Sequence, residues 1–288
     1  MTRQRVFTID AALPFADTLA AGLLQRYGDE EGALADLLVL LPTRRACRSL
    51  REAFLRQAGG KPLLLPRMTP LGDVEEDELT LALPVGESGD EALVLPPAIE
   101  KLQRLGLLTQ LILKRAQAQG TENWGVSTPA QAAALAAELA RLLDSLQIED
   151  VGIDKLANIV PERFAQHWQI TLTFLEILSQ AWPQILDSRG AVDPAARRNL
   201  LLRAQGKLWR EHPPSHPIVA AGSTGSIPAT RELLVTIASF EQGAVVLPGL
   251  DRHLSDKQWQ ALDQTHAQFG LRELLAALNC QPQDVADF

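Results

Sequence analysis

Residues 36–57 read DLLVLLPTRRACRSLREAFLRQ. Asp36–Leu41 is an almost unbroken apolar run of strand length, closed by Pro42. A strand that is apolar on both faces is covered on both sides, as in a parallel sheet. Thr43 then stands where a helix N-cap is needed, and Arg44 to about Gln57 has helical spacing until Ala58-Gly59-Gly60 ends it. At about 100° per residue, Arg44, Arg48 and Arg51 share one stripe of that helix, while Ala46, Leu50 and Ala53 share the opposite one. A buried strand running through a short turn into an amphipathic helix predicts an α/β fold.

The same alternation extends outward on both sides. Val6–Ile9 reads as a strand, Asp17–Tyr27 as a helix with Leu19, Leu23 and Leu24 on one side, and Lys61–Leu65 as a third strand. From about Pro97 to Lys207 only helical periodicity is visible. The expected helices are Ala98–Gln119, Pro129–Gln147, Ile153–Asn158, Pro161–Asp187 and Pro194–Arg210, with Thr128 capping the second ahead of Pro129. Strand and helix then return: Pro217–Ala221, a Gly/Ser/Thr loop at Gly222–Ser226, a helix over Pro228–Ser239, and a buried strand at Ala244–Leu247. Two α/β pieces flanking a helical stretch most simply form one parallel sheet interrupted by an all-helical insertion. The expected domains are residues 1–95 and 213–288 for the two parts of the sheet domain and 96–212 for the insertion.

Composition narrows the function classes. In 288 residues, 46% are hydrophobic and 22% charged, which supplies a packed core. No apolar run reaches the roughly 18 residues that a membrane span needs. Met1–Val6 leads into a strand without a secretory leader, so a cytoplasmic protein with no membrane partner is expected. Cys47 and Cys280 stand far apart without a CxxC partner, so free thiols are expected and no metal site. The net charge of −8 argues against a general polyanion binder, but the charge is unevenly placed. Between Pro42 and Arg67 stand Arg44, Arg45, Arg48, Arg51, Arg56, Lys61 and Arg67 against the single acid Glu52. Between Gly72 and Glu91 stand Asp73, Glu75, Glu76, Asp77, Glu78, Glu87, Asp90 and Glu91 with no base. Two surfaces with different partners fit this pattern, as do two solvated stretches that partly pair.

Two stretches could carry chemistry. In the first, Gly222, Ser223, Thr224, Gly225 and Ser226 follow a strand and precede a helix, a setting in which backbone N–H groups can cradle a phosphate. That would suit a phosphate-ligand-binding α/β enzyme, although any tight strand-to-helix turn tolerates the same residues. In the second, Thr43, Arg44, Arg45 and Arg48 offer a hydroxyl, a helix start and positive charge at the carboxyl end of a strand, donors that suit a phosphodiester backbone. The plain alternative is a solvated arginine face. Asp73–Glu78 lacks a neighbouring histidine and reads as a solvated loop. The five histidines are scattered, and Pro213-Pro214 breaks any helical pairing of His212 with His216. Ser223 and Ser226 lack the G-x-S-x-G elbow of a hydrolase. Trp124, Trp168, Trp182, Trp209 and Trp259 read as core anchors. No catalytic residue and no metal ligand is expected.

Leu37–Leu55 (LLVLLPTRRACRSLREAFL) and Leu64–Leu79 (LLPRMTPLGDVEEDEL) resemble the alphaproteobacterial AddB family, the B subunits of AddAB helicase–nucleases that process double-strand breaks for recombination. Pro217–Leu234 (PIVAAGSTGSIPATRELL), Gly243–Asp251 (GAVVLPGLD) and Gln268–Leu275 (QFGLRELL) are similar to the same family. The resemblance implies a RecA-like domain of the superfamily 1 helicase type carrying a helical insertion. It also implies an AddA-type motor subunit and DNA as partners. A working member would have a lysine-ending glycine loop after the first strand, where Asp10–Thr18 stand, and metal-binding acids after Pro217–Ala221, where Ala220, Ala221 and Gly222 stand. The implied domain is therefore an ATPase-inactive scaffold. Pro42–Arg45 falls at the family's single-strand-contacting motif, which points to Thr43, Arg44 and Arg45 for DNA. The family's nuclease and its four-cysteine iron–sulfur cluster belong to a region downstream of this stretch. The chain is thus expected to be part of a longer subunit and to hold no cofactor itself.

Overall fold

The computed structural model describes residues 5–28, 32–71, 95–119, 128–153, 155 and 177–288. In chain order these form β1 (Val6–Ile9), α1 (Phe15–Tyr27), α2 (Ala33–Asp36), β2 (Leu38–Leu41), α3 (Arg44–Gln57) and β3 (Arg67–Pro70). Next come α4 (Lys101–Gln119), α5 (Pro129–Ile148), a π-helical turn at Ile177–Ala181, α6 (Trp182–Ser188) and α7 (Pro194–Glu211). The chain then forms β4 (Ile218–Ala221), α8 (Pro228–Ala238), β5 (Gly243–Pro248), α9 (Asp256–Gln260), α10 (Phe269–Ala277), a 3-10 turn at Pro282–Asp284 and β6 (Ala286–Asp287).

The six strands make one all-parallel sheet in the order β3-β2-β4-β5-β1-β6. The two α/β pieces of the sequence meet where β2 pairs with β4, Leu38 opposite Ile218 and Leu40 opposite Ala220. The expected parallel α/β architecture is thus present, with β2 and β4 as neighbours although well over a hundred residues separate them in the chain. Alternation along β2 explains its unbroken apolar run. Leu38 and Leu40 face one core together with Ala220, Val245 and Leu247, while Val39 and Leu41 face the other with Val219, Ala221 and Val246. Each residue of β2 is buried, so a polar side chain on either face would lose its water without gaining a partner.

Helices cover both faces. Cys47, Leu50, Ala53 and Phe54 of α3 pack with Leu19, Ala20 and Leu23 of α1 against one face. Ala229, Leu233, Leu234 and Ile237 of α8 and Leu271, Leu274 and Leu275 of α10 pack against the other. Right-handed crossovers require this split: the chain moves one way along the sheet from β1 to β2 and back the other way from β4 to β5.

The third strand differs from its sequence expectation. Lys61–Leu65 is not in the sheet; β3 is Arg67–Pro70, registered with Leu38 opposite Arg67. Pro62 and Pro66 bracket the apolar run and remove two N–H groups from it, and Leu64 is left 73% exposed. Sequence reasoning also missed α2, α9, α10 and the edge strand β6.

The chain divides into two compact units, Met1–Ala92 with Leu202–Phe288, and Leu93–Leu201. The division falls inside α7, ahead of the boundary at 212 expected from sequence, because Leu202 and Trp209 belong to the core beneath β4 and α8. The second unit has its own core, built from Leu108 and Ile112 of α4, Ala132, Ala136 and Leu139 of α5, and Trp182. Thr128 caps α5 through a capping box with Gln131, as its spacing promised. A buried ion pair anchors the unit: Asp193 Oδ1 lies 2.8 Å from Arg104 Nε, while its Oδ2 accepts from Trp182 Nε1 at 2.9 Å and Gln147 Nε2 at 2.8 Å. Most of the expected helix at Pro161–Asp187, most of Ile153–Asn158, the acidic stretch Asp73–Glu78, Trp124 and Trp168 lie outside the described residues.

Candidate functional site

Neighbouring strands β2 and β4 release the chain to opposite faces of the sheet, β2 into α3 and β4 into α8. The crevice outside their carboxyl ends is therefore a topological switch point, the position at which open parallel sheets bind ligands. Both stretches singled out in the sequence lie there. Pro42 and Thr43 follow β2, and Gly222–Ser226 follow β4. They are close: a Cβ on Gly222 would come within 3.6 Å of Pro42 Cδ and within 3.2 Å of the Phe15 ring at the start of α1. Gly222, at φ +78°, also donates its N–H to Val246 O, holding the loop to β5.

Thr43 is extended and caps α3, its Oγ1 accepting the Ala46 N–H at 3.1 Å. The hydroxyl proton remains available to an oxyanion. Arg44 and Arg45 occupy the first turn of α3, which holds no acid. Arg44 is half-buried and engaged, whereas Arg45 and Arg48 are exposed and, among the described residues, pair with no acid. Arg51 is exposed in the same way one turn further on. This contrasts with Arg56 at the far end, which binds Asp17 of α1 through Nε at 2.9 Å and Nη2 at 2.8 Å. Thr43, Arg45 and Arg48 thus form an accessible basic edge on a rigid element, with Arg44 partly withdrawn from it.

The Gly222–Ser226 loop is a more closed structure. Ser223 Oγ accepts the Gly225 N–H at 3.3 Å. Gly225 is buried with φ +64°, and a Cβ there would lie 3.1 Å from Leu274 of α10. A Cβ on Gly270 would sit 3.3 Å from Thr224 Oγ1 and 3.4 Å from Ser226 Cβ. The following helix opens with Ile227 and Pro228, so its N-cap has no side-chain acceptor and its first residue no N–H. Gly222 and Gly225 N–H groups are spent within the fold, and α10 covers the loop. Its glycines serve a close helix–loop contact, with only Ser226 well exposed.

The remaining carboxyl ends bear on nucleotide chemistry. After β1 the chain reaches α1 in five residues. Asp10 Oδ1 accepts the Ala12 N–H at 2.8 Å, and Ala11 packs on Gly249, where a Cβ would meet its methyl at 3.0 Å. After β5, Asp251 Oδ1 accepts the His253 N–H at 2.9 Å. Both carboxylates close local Asx turns. Ala220 and Ala221 end β4, both buried. No lysine stands after β1 and no acid after β4, so these residues do not fit a magnesium–nucleotide group. Sequence reasoning missed Phe15, which packs on Gly222, and Gln268. The latter ties the start of α10 to the loop after β5, donating to Gly249 O at 2.9 Å and accepting from Asp251 N at 3.1 Å. Nothing in a lone glutamine marks that role; only the position of α10 does.

The resolved pKa shifts lie away from this edge. Burial, then Arg67, holds His216 below its ordinary range, with Asp36 pulling it back, at the amino end of β4. Burial, with Asp284, pushes the Cys280 thiol up. Neither cysteine is in a disulfide, and Cys47 lies on the buried face of α3. Trp182, Trp209 and Trp259 are buried as core residues. Among the described residues no cluster of three His, Cys, Asp or Glu side chains could hold a metal ion, and no helix is long and apolar enough to cross a membrane. No protein-family model and no curated protein matches the chain.

Proposed function

We propose that this chain is a non-hydrolysing, RecA-like scaffold module of an AddAB-type helicase–nuclease acting in double-strand break repair. In this role it docks on an AddA-type motor subunit and helps to hold DNA. One observation carries the reading: at the β2–β4 switch point, where a ligand is expected, the open surface is the Thr43-capped start of α3 with Arg45 and Arg48 unpaired among the described residues. A hydroxyl, a helix start and guanidinium groups bind a phosphodiester backbone without reading bases. The residues after β1 and β4 support the inactive part of the reading, because they offer a nucleotide neither a lysine nor a metal-binding acid. The closed Gly222–Ser226 loop favours this over a phosphate-ligand enzyme.

Two titrations of the full chain test the proposal together. Fluorescence anisotropy with a labelled single-stranded oligonucleotide is expected to show binding that fades as salt rises. Calorimetry with magnesium–ATP is expected to show no binding. Micromolar ATP binding, or oligonucleotide binding indifferent to salt, overturns the proposal.

A further inference from the structure

We infer that the exposed face of α3 carries one DNA strand lengthwise, Arg48 and Arg51 meeting phosphates beyond the one held at Thr43–Arg45. The inference rests on the DNA reading above and adds a path and a length to it. At about 100° per residue, Arg44, Arg48 and Arg51 fall within about 60° of one another around the helix. At about 1.5 Å of rise per residue, they span about 10 Å along it. A B-form strand carries one phosphate per about 3.4 Å of axis, and an extended strand fewer, so two or three phosphates pass over that length. The opposite face, with Cys47, Leu50, Ala53 and Phe54, is buried against the sheet and α1. The helix that bears the arginine line is therefore held in place by the core.

The ends of the path are also set by the structure. At the start, the Thr43 hydroxyl and the first N–H groups of α3 face the switch point. At the finish, Leu55 carries no charge and Arg56 is already bound to Asp17. Glu52, the helix's one acid, borders the line beside Arg48, at about 40° from it, and lies about 100° from Arg51. A rigid row of guanidiniums suits the regular repeat of a nucleic-acid backbone better than the irregular spacing of an acidic polypeptide.

The test uses the full chain and fluorescein-labelled oligo(dT), with the salt slope measured for wild type, Arg45→Gln, Arg48→Gln, Arg51→Gln and Arg51→Lys. Loss of one single-strand phosphate contact lowers the log–log slope by about 0.7. A rise from about 50 to about 200 mM salt then weakens Arg51→Gln about 2.6-fold less than wild type. Arg48→Gln is expected to behave alike, and Arg51→Lys to keep the wild-type slope. If Arg45→Gln lowers the slope while Arg48→Gln and Arg51→Gln do not, the lengthwise path is wrong and the Thr43–Arg45 contact stands. If all the glutamine variants keep the wild-type slope, the DNA reading fails as well. Displacement of oligo(dT) by polyglutamate at equal charge concentration assigns the stripe to an acidic protein partner and overturns the inference.

Discussion

Arg45→Glu is expected to make the folded chain more stable while making it a poorer DNA binder. Arg45 is exposed in the first turn of α3, where the helix dipole is positive and no acid offsets it. A charge of the wrong sign there costs about 0.3–1 kcal/mol, and one of the right sign contributes as much. Reversing the charge therefore stabilises by about 0.6–2 kcal/mol at low ionic strength, since no ion pair is lost among the described residues. For a unit of this size each kcal/mol shifts Tm by about 2–4 °C, so the rise is about 1–8 °C. Raising salt from about 0.1 to about 1 M shrinks the Debye length from about 10 to about 3 Å and should erase most of the gain. Thermal unfolding at both salt concentrations, beside an oligonucleotide titration, reads both effects. A variant less stable than wild type at low salt would mean that the fold itself satisfies Arg45. The argument that this position awaits an external anion would then be lost.

Three further outcomes follow from the packing. Asp193→Ala should destabilise the Leu93–Leu201 unit by about 1–3 kcal/mol, because it removes the acceptor of the buried Trp182 N–H while Asp144 still pairs with Arg104; a denaturant midpoint within error of wild type contradicts this. Gly225→Ala should cost about 1–2 kcal/mol from the left-handed backbone alone, before the close approach of Leu274, yet leave oligonucleotide affinity unchanged. A marked loss of affinity there would return the loop to the binding surface. His216 is held below its ordinary 6.5 chiefly by burial. As pH falls the unfolded chain binds that proton first, so stability is full above about pH 6.5 and declines toward the lower folded value. His216→Asn should flatten that stretch of the pH–stability curve, and a curve parallel to wild type would show that the imidazole is not the cause.

Much of the sheet was readable because its strands are buried on both faces. Val6–Ile9 and Leu38–Leu41 are apolar runs bounded by turn residues, and periodicity places them within a residue or so. Thr43 and Thr128 were legible as caps because capping is local chemistry. What failed was non-local. The Lys61–Leu65 run looks like a strand, but the partner that β2 pairs with is Arg67–Pro70, a few residues further on. The edge strand β6 is two exposed residues whose only strand signal is the neighbour β1. In the site, sequence placed Arg44, Arg48 and Arg51 on one stripe of α3, of which Arg48 and Arg51 are exposed and Arg44 half-buried, and it located both loops at strand ends. It could not show that α10 closes Gly222–Ser226, because Leu274 and Gly270 lie more than forty residues away in the chain.

The most direct test of the central claim, that the open edge at the start of α3 binds a DNA backbone, is the salt dependence of single-stranded oligonucleotide binding by the Arg45→Glu/Arg48→Glu chain. Removing two phosphate contacts should lower the magnitude of the log–log slope by about 1.4 and weaken binding at every sequence alike. Wild-type affinity with an unchanged slope would contradict the claim and leave these arginines facing solvent or a protein partner.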